Sequence, residues 1–181
     1  MAVLIEAISV VVRRETIANK YRGGLDQYIE DCPNRTLCMD EDIVSVQFMT
    51  GWNAFDFVGS LEHDGFRYVV NNEYDEIAVV DQFLGITLPC EWLEFLNIVI
   101  FKGDLRVKAC NIMGNPLGKL ALPAGWVYEN SLSKLSIVTD KVNFALRMTF
   151  LRKENGFDVF LDKLTEKEVY MKQTIRRNAN A

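Results

Sequence analysis

The order of apolar and polar residues predicts strands and helices in alternation over the first half of the chain. Residues 3–12 (VLIEAISVVV) are apolar on both faces of an extended backbone, which predicts one strand in the centre of a sheet. Residues 15–32 have helical spacing, but Gly23 and Gly24 each cost about 1 kcal/mol inside a helix. Two short helices are therefore expected there. Residues 42–49 (DIVSVQFM) alternate apolar and polar positions and predict a half-buried strand.

The clearest helical pattern in the chain lies in residues 51–66 (GWNAFDFVGSLEHDGF). Thr50 can cap the start of this helix, and Gly65 can adopt the left-handed conformation at its end. Residues 67–70 (RYVV) and 76–82 (EIAVVDQ) then predict strands. The apolar stripe expected to face the core consists of Ala54, Phe55, Phe57, Val58 and Leu61.

The second half of the chain predicts strands with little helix. Residues 97–101 and 105–113 flank Lys102-Gly103-Asp104, which favours a hairpin. Asn155 and Gly156 form a turn dipeptide between two later strands. Residues 115–126 (NPLGKLALPAGW) have no regular pattern and predict a surface loop. The remaining strands expected are 134–140, 143–153, 156–162 and 168–174, with residues 163–167 joining the last pair.

These patterns predict an α+β fold, with a mixed sheet that carries helices on one face and then an antiparallel β meander. The domain prediction is a single compact unit over residues 1–173. It contains a mixed α/β half at residues 1–83 and a β-rich half at residues 90–173, followed by a flexible tail at 174–181.

Composition limits the classes of protein that the chain can represent. Its 181 residues are 49% hydrophobic and 11% aromatic, which is sufficient for a packed core and excludes a disordered chain. The net charge of −5 argues against a protein that holds nucleic acid and suits a basic protein partner. No run reaches the roughly 18 apolar residues of a membrane span. The apolar N-terminus has Glu6 in its middle and lacks the features of a signal peptide, so we expect a cytoplasmic protein with no membrane association.

The cysteines and the single histidine favour a structural role over a catalytic one. Cys32, Cys38, Cys90 and Cys110 form no CxxC pair, which leaves no zinc-ligand spacing. The common phosphate-binding, metalloprotease and serine-hydrolase motifs are also absent from the sequence. His63 falls at the end of the predicted helix, where an imidazolium complements the helix dipole. We therefore predict no catalytic residue, no metal ligand set and no cofactor, and a disulfide between Cys32 and Cys38 remains a minor alternative.

Glu6 stands out because a charged residue inside an apolar strand is costly unless it is paired. Two structural interpretations are exposure at a sheet edge and pairing with an arginine such as Arg13. The functional interpretation is a metal ligand or a general base. We include Glu6 among the candidate binding residues.

Residues 84–96 (LGITLPCEWLEFL) are the most distinctive segment of the chain. Gly85 and Pro89 predict a corner, and Trp92 has a large apolar ring with one N–H donor that suits a core edge or a binding pocket. Together with Glu91 and Glu94, Trp92 is a candidate anchor for a partner. An alternative is that carboxylates of Glu6, Asp81, Glu91 and Glu94 converge on a metal, although neighbouring acids are more often a solvated face.

The segment resembles the LGxxLPxxYxxFL pattern of the yeast cell-wall-assembly regulator superfamily, whose many bacterial members include immunity proteins against contact-delivered toxins. The matching residues are Leu84, Gly85, Leu88, Pro89, Trp92, Phe95 and Leu96. The strand–helix–strand–strand order of residues 43–82 also resembles a module of the glyoxalase-type vicinal-oxygen-chelate fold, and a ferredoxin-like sandwich has the same order.

The function expected from these observations is a non-enzymatic binding protein whose partner is another protein, with an immunity-type inhibitor as one example. The alternative is a glyoxalase-like metal-dependent enzyme or a protein that binds a small ligand. The sequence leaves the oligomeric state open.

Overall fold

The structure, a computed structural model, describes residues 1–100, 105–138, 148–162 and 167–172 and has an α+β fold. Contacts within the chain define two compact units, Met1–Lys134 and Leu135–Ala181. The predicted halves, 1–83 and 90–173, place their boundary earlier in the chain. The described helices are α1 (Arg14–Lys20), α2 (Gly24–Glu30), α3 (Gly51–His63) and α4 (Leu132–Val138). The described strands are β1 (Ala2–Ile5), β2 (Ile8–Arg13), β3 (Cys38–Met39), β4 (Ile43–Phe48), β5 (Val69–Val70), β6 (Glu73–Tyr74), β7 (Ile77–Asp81), β8 (Gly85–Ile86), β9 (Leu93–Ile100), β10 (Leu105–Ile112), β11 (Leu120–Ala121), β12 (Met148–Glu154), β13 (Phe157–Asp162) and β14 (Lys167–Lys172).

A five-stranded sheet with the order β3-β4-β2-β7-β8 forms the centre of the first unit. Its neighbouring strands are all antiparallel, and β2 lies in the middle because it pairs with both β4 and β7. Ile8, the first residue of β2, lies opposite Phe48 on one side and Asp81 on the other. The chain therefore leaves β4 and β7 at the same end of the sheet.

Helices α1, α2 and α3 belong to this unit, and their limits follow local signals. The Thr50 side chain accepts a hydrogen bond from the Asn53 N–H at the start of α3, and Gly65 has φ +91° just after its end, as predicted. The break between α1 and α2 falls at the glycine pair, with Gly23 before α2 and Gly24 as its first residue, which confirms the prediction of two short helices. Helix α3 contacts β2 and β4, and the Phe57 ring lies 5.4 Å from that of Phe48.

A second sheet has the order β11-β1-β10-β9. Strands β9 and β10 form the predicted antiparallel hairpin, while β1 pairs with β10 on one side and with β11 on the other. The predicted loop 115–126 thus contains a strand, Leu120–Ala121. The Leu4 carbonyl of β1 accepts hydrogen bonds from Gln47 Nε2 at 3.0 Å and from the Cys38 thiol at 3.7 Å. These contacts place β1 against one face of β3 and β4.

Three further predicted elements differ from the structure. Residues 3–12 form two strands in different sheets, with Glu6 and Ala7 between them. Strand β4 is buried on both faces because its polar face packs against β1, so the prediction of a half-buried strand is wrong. Residues 134–138 belong to helix α4 and do not form a strand.

The second unit contains the antiparallel meander β12-β13-β14. Asn155 and Gly156 join its first two strands with φ values of +51° and +82°, which confirms the predicted turn. Several predictions fall outside the described residues: the turn at 102–104, residues 139–140 and 143–147 of two strands, the connection at 163–166 and the tail at 174–181.

Among the described residues, no helix has both the length and the apolar character needed to cross a membrane.

Candidate functional site

The candidate site begins at the break between β1 and β2. Ala7 has φ +44°, a conformation that costs a non-glycine residue of order 1–3 kcal/mol and that persists only where neighbours impose it. Gln82 holds Ala7 in this conformation through two hydrogen bonds. Its Oε1 accepts the Ala7 N–H at 2.7 Å, and its own N–H donates to the Ala7 carbonyl at 2.8 Å. The chain can therefore turn from one sheet into the other at this point.

The Glu6 carboxylate lies beside this turn and is buried, with 2% of the residue exposed. Its Oε1 accepts hydrogen bonds from Trp126 Nε1 at 3.0 Å, from the Ser133 hydroxyl at 2.8 Å and from the Ser133 N–H at 3.3 Å. Neither structural interpretation from the sequence applies, because Glu6 is neither exposed nor paired with Arg13. Arg13 instead lies over the ring of Trp92.

The three donors to Glu6 are neutral groups. Among the described residues, no lysine or arginine forms an ion pair with Glu6. A buried carboxylate is usually paired with a cation or bound to a metal. Among the described residues, the negative charge of Glu6 is therefore stabilised by hydrogen bonds and not by a positive charge.

Glu6 lines a cavity of about 200 Å³. Polar residues contribute much of its wall: Glu6, Arg35, Thr36, Trp126, Asn130 and Ser131. The turn at residues 123–125 completes one side, so the irregular segment before Trp126 forms part of a cavity wall as well as a surface. Arg35 is exposed, which puts a positive charge on the solvent side of this cavity.

The other candidate binding residues lie elsewhere in the first unit. Trp92 is 8% exposed, and the Arg13 guanidinium lies 4.8 Å from its ring centroid. Glu91 is exposed and Glu94 is half-buried. Within the described residues, no three His, Cys, Asp or Glu side chains form a group that could hold a metal ion. Asp81, the remaining carboxylate considered for a metal, accepts the N–H groups of the two residues that follow Gln82.

Residues 84–96 connect the two sheets of the first unit. Gly85 has φ +83° in the short strand β8, and a β-carbon placed on it would lie 3.2 Å from the Phe95 ring. Trp92 and Leu93 are buried where β9 begins. The segment is thus a corner, as the sequence indicates, and it joins the five-stranded sheet to the four-stranded one.

A second feature is a group of exposed apolar side chains, which we call the sheet-end surface. Met49 follows β4, and α3 begins two residues later with Trp52 and Phe55 on its first turns. Phe83 and Leu84 follow β7, whose end lies two strand spacings, about 10 Å, from the end of β4. The five residues are 41–55% exposed.

The sequence did not identify this surface. Phe55 belonged to the predicted core stripe, but the buried residues of α3 are Ala54, Val58 and Leu61. These three positions have the i, i+4, i+7 spacing of one helix face, and Phe55 is turned about 100° away from Ala54. That spacing is the signal that separates Phe55 from the core.

No protein-family model, curated protein or solved structure matches this chain.

Proposed function

We propose that this chain is a cytoplasmic, non-enzymatic binding protein whose sheet-end surface docks onto a protein partner. The observation that carries this proposal is the half-exposed pair Trp52 and Phe55 on one helix. Large aromatic residues supply a disproportionate share of the binding energy in protein interfaces. Trp52 and Phe55 lie on adjacent turns of α3, and Met49, two residues before the helix, is also exposed. Exposed apolar side chains that cluster in this way mark surfaces that bind other proteins.

The charges near the sheet-end surface indicate the chemistry of the partner. Asp56 is exposed on the same helix, and Asp81 lies at the base of the turn that presents Phe83. The chain as a whole carries a charge of −5. A partner with an apolar pocket and basic residues around it would complement this surface, and the opposite charges would also accelerate association.

An immunity-type inhibitor of a basic toxin domain is one member of this class. The resemblance of residues 84–96 to the cell-wall-assembly regulator superfamily supports it, and Leu84 of that segment belongs to the sheet-end surface. The four cysteines are free thiols, which suits a reducing cytoplasm.

A paired-variant binding experiment tests this proposal. Proteins that crosslink to the wild-type chain in its source cells are identified, purified and titrated with the variant Trp52→Ser/Phe55→Ser. We expect the Kd of the true partner to rise at least about thirtyfold, since the loss of hot-spot residues costs 2 kcal/mol or more. The thermal unfolding midpoint should stay close to that of the wild type because both side chains are already half exposed.

The control is Met113→Ser/Leu117→Ser, which removes two equally exposed apolar side chains, 52% and 55% exposed, from another part of the unit. Its Kd should equal that of the wild type. Equal weakening by both double variants, or a partner that binds all three proteins alike, would contradict the proposal.

A further inference from the structure

We propose that the cavity beside Glu6 binds a small zwitterion, with an ammonium group against the Glu6 carboxylate and an anionic group toward Arg35. This site shares no residue with the sheet-end surface, although Ala7 beside it contacts Phe48 and Gln82 at the same end of the sheet. The inference does not depend on the function proposed above.

The charge of Glu6 is the first reason for an ammonium group. Oε1 holds three donors, all from Trp126 and Ser133, and no described residue pairs a cation with the carboxylate. An unpaired charge that is 98% shielded from water is costly, whereas an ammonium ion brought by a ligand would offset it. The site therefore favours a cation at this end of the cavity.

Arg35 gives a reason for an anionic group, because its positive charge selects the charge at the other end of the ligand. It lines the same cavity and is exposed, so a ligand with a positive charge alone would be repelled at the solvent side. A carboxylate or phosphate at that end would instead accept the guanidinium donors. The two protein charges thus select a molecule that carries both signs.

The volume of the cavity suits a small ligand. Its volume of about 200 Å³ lies below the roughly 300–1,000 Å³ of pockets that hold drug-sized molecules. Free amino acids and short ω-amino acids are of suitable size. The Thr36 and Asn130 side chains in the wall offer further hydrogen-bonding groups.

The rigidity of the site also fits a binding role. Glu6 is the residue before the strained Ala7, whose backbone is held on both sides by Gln82. The Ser9 hydroxyl donates to the Glu6 carbonyl at 3.0 Å and accepts the Glu6 N–H at 3.1 Å. A carboxylate fixed in this way loses little conformational freedom when a ligand binds.

The Trp126 indole N–H provides a direct probe, because it donates to one oxygen of the carboxylate whose other oxygen would meet the ammonium group. Protein labelled with ¹⁵N at tryptophan is titrated at millimolar concentrations with glycine, γ-aminobutyrate, butylamine and butyrate, and Trp126→Phe assigns the signal. We expect saturable shifts of the Trp126 signal with at least one of the two zwitterions, weaker shifts with butylamine and none with butyrate. If neither zwitterion produces a shift, the proposal is overturned.

Variants that remove one charge at a time test the two ends of the site separately. Glu6→Gln should weaken zwitterion binding by at least about tenfold because it removes a charge-assisted contact. Arg35→Gln should weaken the zwitterion and leave butylamine unaffected or tighter. The controls Glu30→Gln and Arg22→Gln remove the same charges at exposed positions and should bind as the wild type does.

Two results would contradict these assignments. If Glu6→Gln binds the zwitterion as tightly as the wild type does, the Glu6 carboxylate does not contact the ammonium group. If the wild type binds butylamine and γ-aminobutyrate equally well, Arg35 does not contact the anionic group. If Glu6→Gln does not fold, the wild-type titrations and Arg35→Gln still decide the proposal, since Arg35 is exposed.

Discussion

Two buried glutamates in the first unit are stabilised in different ways. Glu6 receives neutral donors only among the described residues, whereas Glu76 accepts Lys20 Nζ and the Arg67 N–H, each at 2.8 Å. Burial by itself would raise the pKa of Glu76. The hydrogen bonds and charges of Lys20 and Arg67 outweigh burial, so the pKa of Glu76 is lowered below its ordinary value of 4.5. Glu76 therefore makes a contribution to stability that depends on pH, whereas Glu6 is the glutamate available to a ligand.

The lowered pKa of Glu76 predicts a loss of stability in acid. A carboxylate with a lower pKa in the folded state stabilises the protein above its unfolded pKa, and that contribution is lost as the pH falls through the folded pKa. In urea unfolding, we expect the free energy of unfolding to exceed that of Glu76→Gln near pH 7. The difference should narrow as the pH falls below 4.5.

Glu62→Gln is the control for this measurement, because Glu62 is exposed on α3. It should follow the wild-type curve within about 0.5 kcal/mol at each pH. A difference between wild type and Glu76→Gln that stays constant down to acid pH would contradict the role of the Lys20 and Arg67 contacts.

At the scale of elements, the sequence predicted those structures whose signals are local. Thr50 and Gly65 mark the ends of α3 within sixteen residues, and Gly23 with Gly24 marks the start of α2 after α1. Asn155 and Gly156 likewise specify their turn by their own preference for positive φ. Each of these features is determined by side chains that are neighbours in the chain.

The features that the sequence missed depend on residues far apart. The break at Ala7 is held by Gln82, 75 residues away, and nothing in the run VLIEAISVVV marks it. Glu6 was recognised as unusual, but Trp126 and Ser133 lie 120 and 127 residues further along the chain. The sequence could therefore identify one residue of the candidate site but not its partners.

A pair of glycine substitutions tests two elements that position these sites. Gly85→Ala should destabilise the protein by about 1–2 kcal/mol, since φ is +83° and the new methyl group would approach the Phe95 ring to 3.2 Å. Gly59→Ala, inside α3 with no atom within 4 Å, should stabilise it by about 0.5–1 kcal/mol. Chemical denaturation of the three proteins measures both changes. If both substitutions change the free energy of unfolding in the same direction, the left-handed backbone at Gly85 is not what makes glycine necessary at this corner.

At the scale of the whole molecule, the cysteines report on opening of the first unit. Burial raises the pKa of the Cys38 thiol to about 12 and also raises that of Cys110, and both residues are at most 3% exposed. Cys32 and Cys90 are half-buried, and burial raises their pKa as well. The thiolate is the reactive form of cysteine. Cys38 and Cys110 are therefore protected from modification more strongly than Cys32 and Cys90, both by burial and by their raised pKa.

We therefore expect iodoacetamide near neutral pH to modify Cys32 and Cys90 well before Cys38 and Cys110, as followed by peptide mass spectrometry. Modification of Cys38 should accelerate with urea in proportion to the unfolded population, because that thiol becomes accessible only when β3 and β4 separate from β1. Modification of Cys38 at the rate of Cys90 without urea would contradict a closed first unit.

The pairing of β1 has a consequence for synthesis of the protein on the ribosome. Strand β1 is made before its partners at residues 108–110 and 120–121, and the donors to Glu6 come at residues 126 and 133. At translation rates of about 5–20 residues per second, these partners emerge roughly 5–27 seconds after β1. During that interval a nascent apolar strand has no native neighbour in its own sheet, which makes it a natural substrate for chaperones that act at the ribosome exit.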